Sequence, residues 1–119
     1  MNILVFDANL SFAREAVNFV TERVQGAEAD MAENIFILRQ RLKERKWDWI
    51  LADVAAAMSI DSVLEELMKY QEENKCPVIL WSTLTNTLTQ RKGVVDKFRL
   101  IGKPTTEGEF SKAIALVAS

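Results

Sequence analysis

Four polar residues stand where apolar runs stop, and together they could handle a phosphoryl group. Asp7 follows Ile3-Leu4-Val5-Phe6, and Asp53 closes Trp49-Ile50-Leu51-Ala52. Ser82 follows Val78-Ile79-Leu80-Trp81, and Lys103 comes just after Phe98-Arg99-Leu100-Ile101 and Gly102. Two carboxylates held close together repel one another unless a cation shares them, and a hard ion such as Mg²⁺ is the natural oxygen-bound candidate. Lys103 adds a second positive charge, and Ser82 offers a hydroxyl donor. With metal and ammonium balancing charge, Asp53 could act as a carboxylate nucleophile toward phosphorus. A strand-end Asp by itself is often only a helix cap, and a lone Lys is usually solvated. The combination at four strand ends carries the reading.

For the four to meet, the apolar runs must be strands of one sheet. Ile3 to Phe6 is apolar on both faces, as in strands buried between two helical layers. Asn9 or Ser11 can cap the next segment, where Ala13, Ala16, Val17, Val20 and Val24 fall at helical spacing and Gly26 supplies the stop. In Ala27 to Ala32, Glu28 and Asp30 alternate with small or apolar residues, which suits an edge strand with one wet face. Asn34 can cap a helix with Ile35, Leu38 and Leu42 on one face and Lys43, Arg45 and Lys46 at its end. There the helix dipole favours positive charge, so the basic cluster reads as helix-end electrostatics rather than a nucleic-acid site. Trp47-Asp48 leads into the central strand to Asp53.

Residues 54–58 form a small-residue connector. After Ser59 an amphipathic helix carries Ile60, Val63, Leu64 and Leu67, with Glu65, Glu66, Glu72 and Glu73 on its solvated face. Pro77 opens the next strand, where its missing donor is tolerated. The Thr/Asn-rich stretch to Gly93 is ambiguous between loop and short helix. Phe98 to Ile101 form the last strand. Thr106 and Glu109 then have capping-box spacing ahead of a stripe of Phe110, Ala113, Ile114 and Val117. Strand-like runs alternating with helices describe an α/β fold, a doubly wound five-stranded parallel sheet with helices on both faces. The flavodoxin-like order 2-1-3-4-5 is the leading topology, and it sets strands one and three side by side where the winding reverses.

Composition narrows the function. The chain of 119 residues is expected to be a single domain, residues 1–119, with none left over for an output domain. Its 15 basic and 17 acidic residues announce no general polyanion binding, and with no residues left for an output domain direct DNA contact is not expected. The absence of His removes the commonest general base and metal ligand. Cys76 stands alone, which excludes an internal disulfide and fits a reducing compartment, and no His exists to activate it as a nucleophile. The start lacks the basic residues and apolar length of a signal peptide, and no run approaches the ~20 apolar residues of a membrane span. A cytoplasmic domain without membrane attachment is the expectation.

At this point the sequence resembles the receiver domain of two-component response regulators, over nearly the whole chain. Ile3-Leu4-Val5-Phe6-Asp7 looks like that family's first strand, and the stretch from Trp47 to Asp53 is similar to the strand bearing the phosphoacceptor. Pro77 to Thr83 matches the strand ending in Ser or Thr, and Gly102-Lys103-Pro104 matches the lysine-proline pair. The resemblance implies that Asp53 accepts a phosphoryl group from a histidine kinase or phosphotransfer protein. It also implies that Asp7 and Asp53 hold Mg²⁺, and that Ser82 and Lys103 contact phosphoryl oxygens. A downstream protein partner would read the surface of the family's fourth helix, fifth strand and fifth helix.

The departures point to a degenerate receiver. The second acid that receivers carry after the first strand is here Ala8, so a direct oxygen ligand is lost and Mg²⁺ affinity should fall. Leu100 occupies the place of the aromatic switch residue. The loop after Asp53 reads Ala55-Ala56-Ala57-Met58, without the family's Pro. A module that recognises a partner without modification is therefore the alternative. A phosphatase of the haloacid-dehalogenase type would want a second acid where Asn9 stands, and it leaves Asp53 unexplained. A flavin or nucleotide carrier would need a phosphate loop that Asp7-Ala8-Asn9-Leu10-Ser11 does not supply. The basic residues Arg91, Lys92, Lys97 and Arg99 read as a solvated face or as a docking surface for an acidic partner.

Overall fold

The computed structural model describes residues 1–54, 60–82 and 98–102, with the backbone alone described at 81, 82 and 99–102. In chain order the elements are β1 (Asn2–Asp7), α1 (Leu10–Arg23), β2 (Glu28–Ala32), α2 (Ile35–Glu44), β3 (Trp49–Asp53), α3 (Ile60–Asn74), β4 (Val78–Ser82) and β5 (Arg99–Gly102). The five strands form one parallel sheet in the order β2-β1-β3-β4-β5, as the sequence pattern predicts.

Successive side chains of a strand point to opposite faces, and the continuous apolar runs fill both. Leu4, Phe6, Ile50, Ala52, Val78 and Leu80 meet Leu38 of α2 and Val63, Leu64, Leu67 and Tyr70 of α3 on one side. Ile3, Val5, Trp49, Leu51 and Ile79 meet Ala16 and Val20 of α1 on the other. Helices thus cover both faces. β2 has one neighbour, β1, as expected of an edge strand, but its burial does not alternate between a wet and a dry face: it rises along the strand from exposed Glu28 through half-buried Ala29, Asp30 and Met31 to buried Ala32.

Local sequence explains where the helices begin. The Asn9 side chain accepts from the Phe12 N–H at 3.0 Å, and the Asn34 side chain from the Ile37 N–H at 2.9 Å, so each satisfies one of the donors left over in a first helical turn. The end of α1 differs slightly from expectation. Helical geometry stops at Arg23 with Val24 as the cap, and Gly26 lies in the turn beyond, at φ +76°, a left-handed conformation that favours glycine.

α3 departs from the predicted pattern at one acid. Glu66 is half-buried rather than solvated, because it accepts from Arg39 Nε of α2 at 2.9 Å. The connector at 55–58, the stretch at 83–93, the basic residues Arg91, Lys92 and Lys97, Lys103 and the final stripe at 106–117 lie outside the described residues.

Candidate functional site

β1 and β3 are the middle strands at which the winding reverses, and their C-terminal ends carry the two carboxylates. The parallel register pairs Ile3 with Trp49, Val5 with Leu51 and, at the last position, Asp7 with Asp53. Hydrogen-bonded strands lie about 4.8 Å apart, so the two aspartates start from adjacent backbone positions. Both are buried, Asp7 to 1% exposure and Asp53 to 6%, and they are the buried charged residues of the described core. The topology thus brings together two residues that are 46 positions apart in the chain, at the crevice where open α/β sheets place their ligands.

Asp7 also has a local task. One of its carboxylate oxygens, Oδ1, accepts from the Asn9 N–H at 2.8 Å. Since the Asn9 side chain caps α1, the aspartate, the turn and the first helix form one hydrogen-bonded chain. Ala8 lies half-buried between them and has no side-chain oxygen. Among the described residues no group of three or more His, Cys, Asp or Glu side chains is placed to hold a metal, and the buried carboxylates of the described core are Asp7 and Asp53.

Ser82 is the last residue of β4, paired with Gly102 of β5. The β3–β4 register pairs Ala52 with Leu80, which puts the Ser82 backbone one residue further along the sheet than the level of Asp53. Leu100 lies within β5, opposite Leu80. Lys103, which follows β5, is outside the described residues, so of the four predicted site residues the structure joins Asp7 to Asp53 and places Ser82 on the same sheet edge.

Cys76 is no competitor. It is buried at 3% exposure just before β4. Burial, and secondarily the charge of Asp48, pushes its thiol up to about 12, so its reactive thiolate form is scarce at neutral pH. Among the described residues no helix is long and apolar enough to cross a membrane.

No protein-family profile matches the sequence, and no curated protein matches it. Solved structures do. The chemotaxis response regulator CheY4 of Vibrio cholerae is similar with a TM-score of 0.78 at 17% identity, over 98% of this chain and 97% of that one. The signal receiver domain of a DNA-binding response regulator from Colwellia psychrerythraea 34H has a TM-score of 0.77 at 20% identity, over 99% and 98%. A chain in the crystal structure of the histidine kinase ThkA with the response regulator protein TrrA has 0.75 at 18%, over 99% and 98%. Coverage of this extent, with the observed strand order and the paired strand-end aspartates, shows that the chain has the fold of the response-regulator receiver domains.

Proposed function

We propose that the chain is a receiver-type signalling domain that accepts a phosphoryl group on Asp53 from a histidine kinase or phosphotransfer protein. The observation that carries this reading is the register pairing of the buried Asp7 and Asp53 at the reversal point of the sheet. In the transfer, a carboxylate oxygen of Asp53 forms the new P–O bond as the P–N bond to the donor imidazole breaks, and the imidazole keeps the electron pair and takes up a proton.

The residues fit a hard divalent cation, because carboxylate oxygen is what Mg²⁺ prefers and the ion tolerates several retained waters. Asp7 and Asp53 would hold it, and when bound it would offset the charge of the carboxylates and the phosphoryl oxygens. Ala8 makes this hold weaker than an acidic residue there would. Ser82, the last residue of β4, and Lys103, which follows Gly102 in the sequence, take the phosphoryl oxygens in this reading, the roles that the receiver resemblance implies for them. Phosphorylation would then favour a state in which Ser82 moves toward Asp53 and the surface of β5 and its flanking segments changes, a shift of population that a downstream protein partner reads.

A second reading is favoured by two observations at Asp7: the neighbouring residue is Ala8, and the Oδ1 atom of Asp7 accepts from Asn9. In it the domain keeps the fold and binds its partner without efficient phosphorylation.

A titration with Mg²⁺ and beryllofluoride, followed by tryptophan fluorescence, separates the two. Trp49 lies on the Asp53 strand and Trp81 precedes Ser82. Phosphoacceptance predicts a saturable response that Asp53→Asn abolishes. No response at millimolar Mg²⁺ supports the unmodified module, and a response gained by Ala8→Asp would identify the missing ligand as the cause.

A further inference from the structure

At the sheet edge where β3 and β4 begin, the C-terminal halves of α2 and α3 border a groove of about 630 Å³ that the aspartate chemistry does not use. Its cations are Arg39, Lys43, Arg45, Lys46 and Lys69, and its acids are Glu66 and Glu73. Five positive charges less two negative leave +3 here, in a chain of net charge −2, so the rest of the molecule carries −5. The groove is therefore a locally basic patch on a net-acidic chain.

Part of the cluster is spoken for. Arg39 pairs with Glu66 at 2.9 Å, and Arg45 sits 5.3 Å from the centre of the Trp47 ring and 3.7 Å from Glu28. Lys43, Lys46 and Lys69 are exposed and make no ion pair among the described residues. The dipole of α2 accounts for roughly half a charge, and Arg41 and Lys43 in its last turn already answer it. Lys46 beyond the helix and Lys69 on α3 exceed that need. On the same outward face of α2, Phe36 is 74% exposed, three residues before Arg39 and seven before Lys43, which is helical spacing for one stripe.

We propose that this α2/α3 face docks an acidic segment of a protein partner, whose carboxylates meet Lys43, Lys46 and Lys69 while an apolar side chain covers Phe36. A small phosphate is a poorer fit, because such anions prefer converging N–H groups at helix N-termini, and this groove is bordered by C-terminal halves. A nucleic-acid duplex carries a charge roughly every 1.7 Å and is held by many cations, more than three lysines on a net-acidic chain provide. Carboxylates spaced along a peptide suit long, flexible lysine stems, and the exposed ring asks for an apolar neighbour. The groove with its lysines lies at the other end of β3 from Asp53, roughly 13 Å along the strand, while Phe36 extends the face along α2 to its first turn, so the lysine contacts do not depend on a phosphoryl group at Asp53.

The test is amide NMR on the full chain with three probes: a short peptide of repeated Glu-Glu-Leu, its Glu-Glu-Ser counterpart, and a short DNA duplex. The expected result is a set of saturable shifts in α2 and the second half of α3 with the Leu peptide, and severalfold weaker binding of the Ser peptide. The triple change Lys43→Glu, Lys46→Glu, Lys69→Glu should weaken the Leu peptide about tenfold, from three exposed pairs of modest strength. The corresponding triple Gln variant should weaken it less, Phe36→Ala severalfold, and Asp53→Asn not at all. Absent shifts, shifts that map elsewhere, tighter binding of the duplex, or indifference to Phe36→Ala would each overturn the proposal.

Discussion

Asp7 of β1 and Asp53 of β3 are register partners across two adjacent parallel strands, and both are buried. Like charges at such neighbouring positions repel, and the low-dielectric surroundings screen them poorly. Asp53→Asn removes one charge while keeping the side chain's shape. Its urea midpoint should lie at or above that of the parent with an unchanged m-value. A lower midpoint would mean that the Asp53 charge is held by favourable contacts stronger than its repulsion from Asp7.

Asn9 caps α1 through its side chain, while its backbone N–H serves Asp7. Asn9→Ala deletes the first bond and retains the second. The loss expected from such caps is about 1 kcal/mol. Urea unfolding measures it, and Asn9→Ser should recover most of the difference, since a hydroxyl can take the same role.

Tyr70 presents its hydroxyl oxygen to the Trp47 N–H at 3.0 Å within the core. In Tyr70→Phe that buried donor loses its acceptor, at a cost of about 1–3 kcal/mol. Hydrogen exchange at the Trp47 amide should accelerate along with the fall in urea midpoint. An unchanged midpoint would show that the donor finds another partner.

Burial raises the Cys76 thiol from an ordinary 9.0 to about 12 and also raises Tyr70 above 10.0. A group held protonated in the folded state contributes its full stability below the unfolded pKa. As pH rises from about 9 to about 12 the unfolded chain releases the Cys76 proton first, so this contribution is lost over that window. The urea midpoint should therefore decline on the alkaline side of pH 9, and Cys76→Ala should flatten the onset of that decline. A thiol reagent at pH 7 should modify the folded chain far more slowly than the unfolded one.

Much of the architecture was legible because it rests on short-range rules. Asn9 and Asn34 announce helix starts by offering a side-chain acceptor to their own following N–H groups, and both do so in the structure. The two acids Glu28 and Asp30 marked β2 as an edge strand, although its burial rises along the strand instead of alternating, while continuous apolar runs marked the strands covered on both faces. Less was legible where two elements meet. Nothing local signals that Tyr70 will reach Trp47, or that Glu66 will leave solvent for Arg39. The basic residues at the end of α2 read as helix-end charge until the fold brings Lys69 beside them.

By itself the sequence determined that two carboxylates terminate apolar strands, that Ala8 follows the first of them, and that no histidine is present to take over their chemistry. These follow from residue identity and from the two-residue period of a strand, both read along the chain. Only the tertiary structure decided that Asp7 and Asp53 are side by side and buried. That pairing depends on the register of β1 against β3, which is set by hydrogen bonds between strands and by helices packing on both faces of the sheet, and no short stretch of the chain contains either.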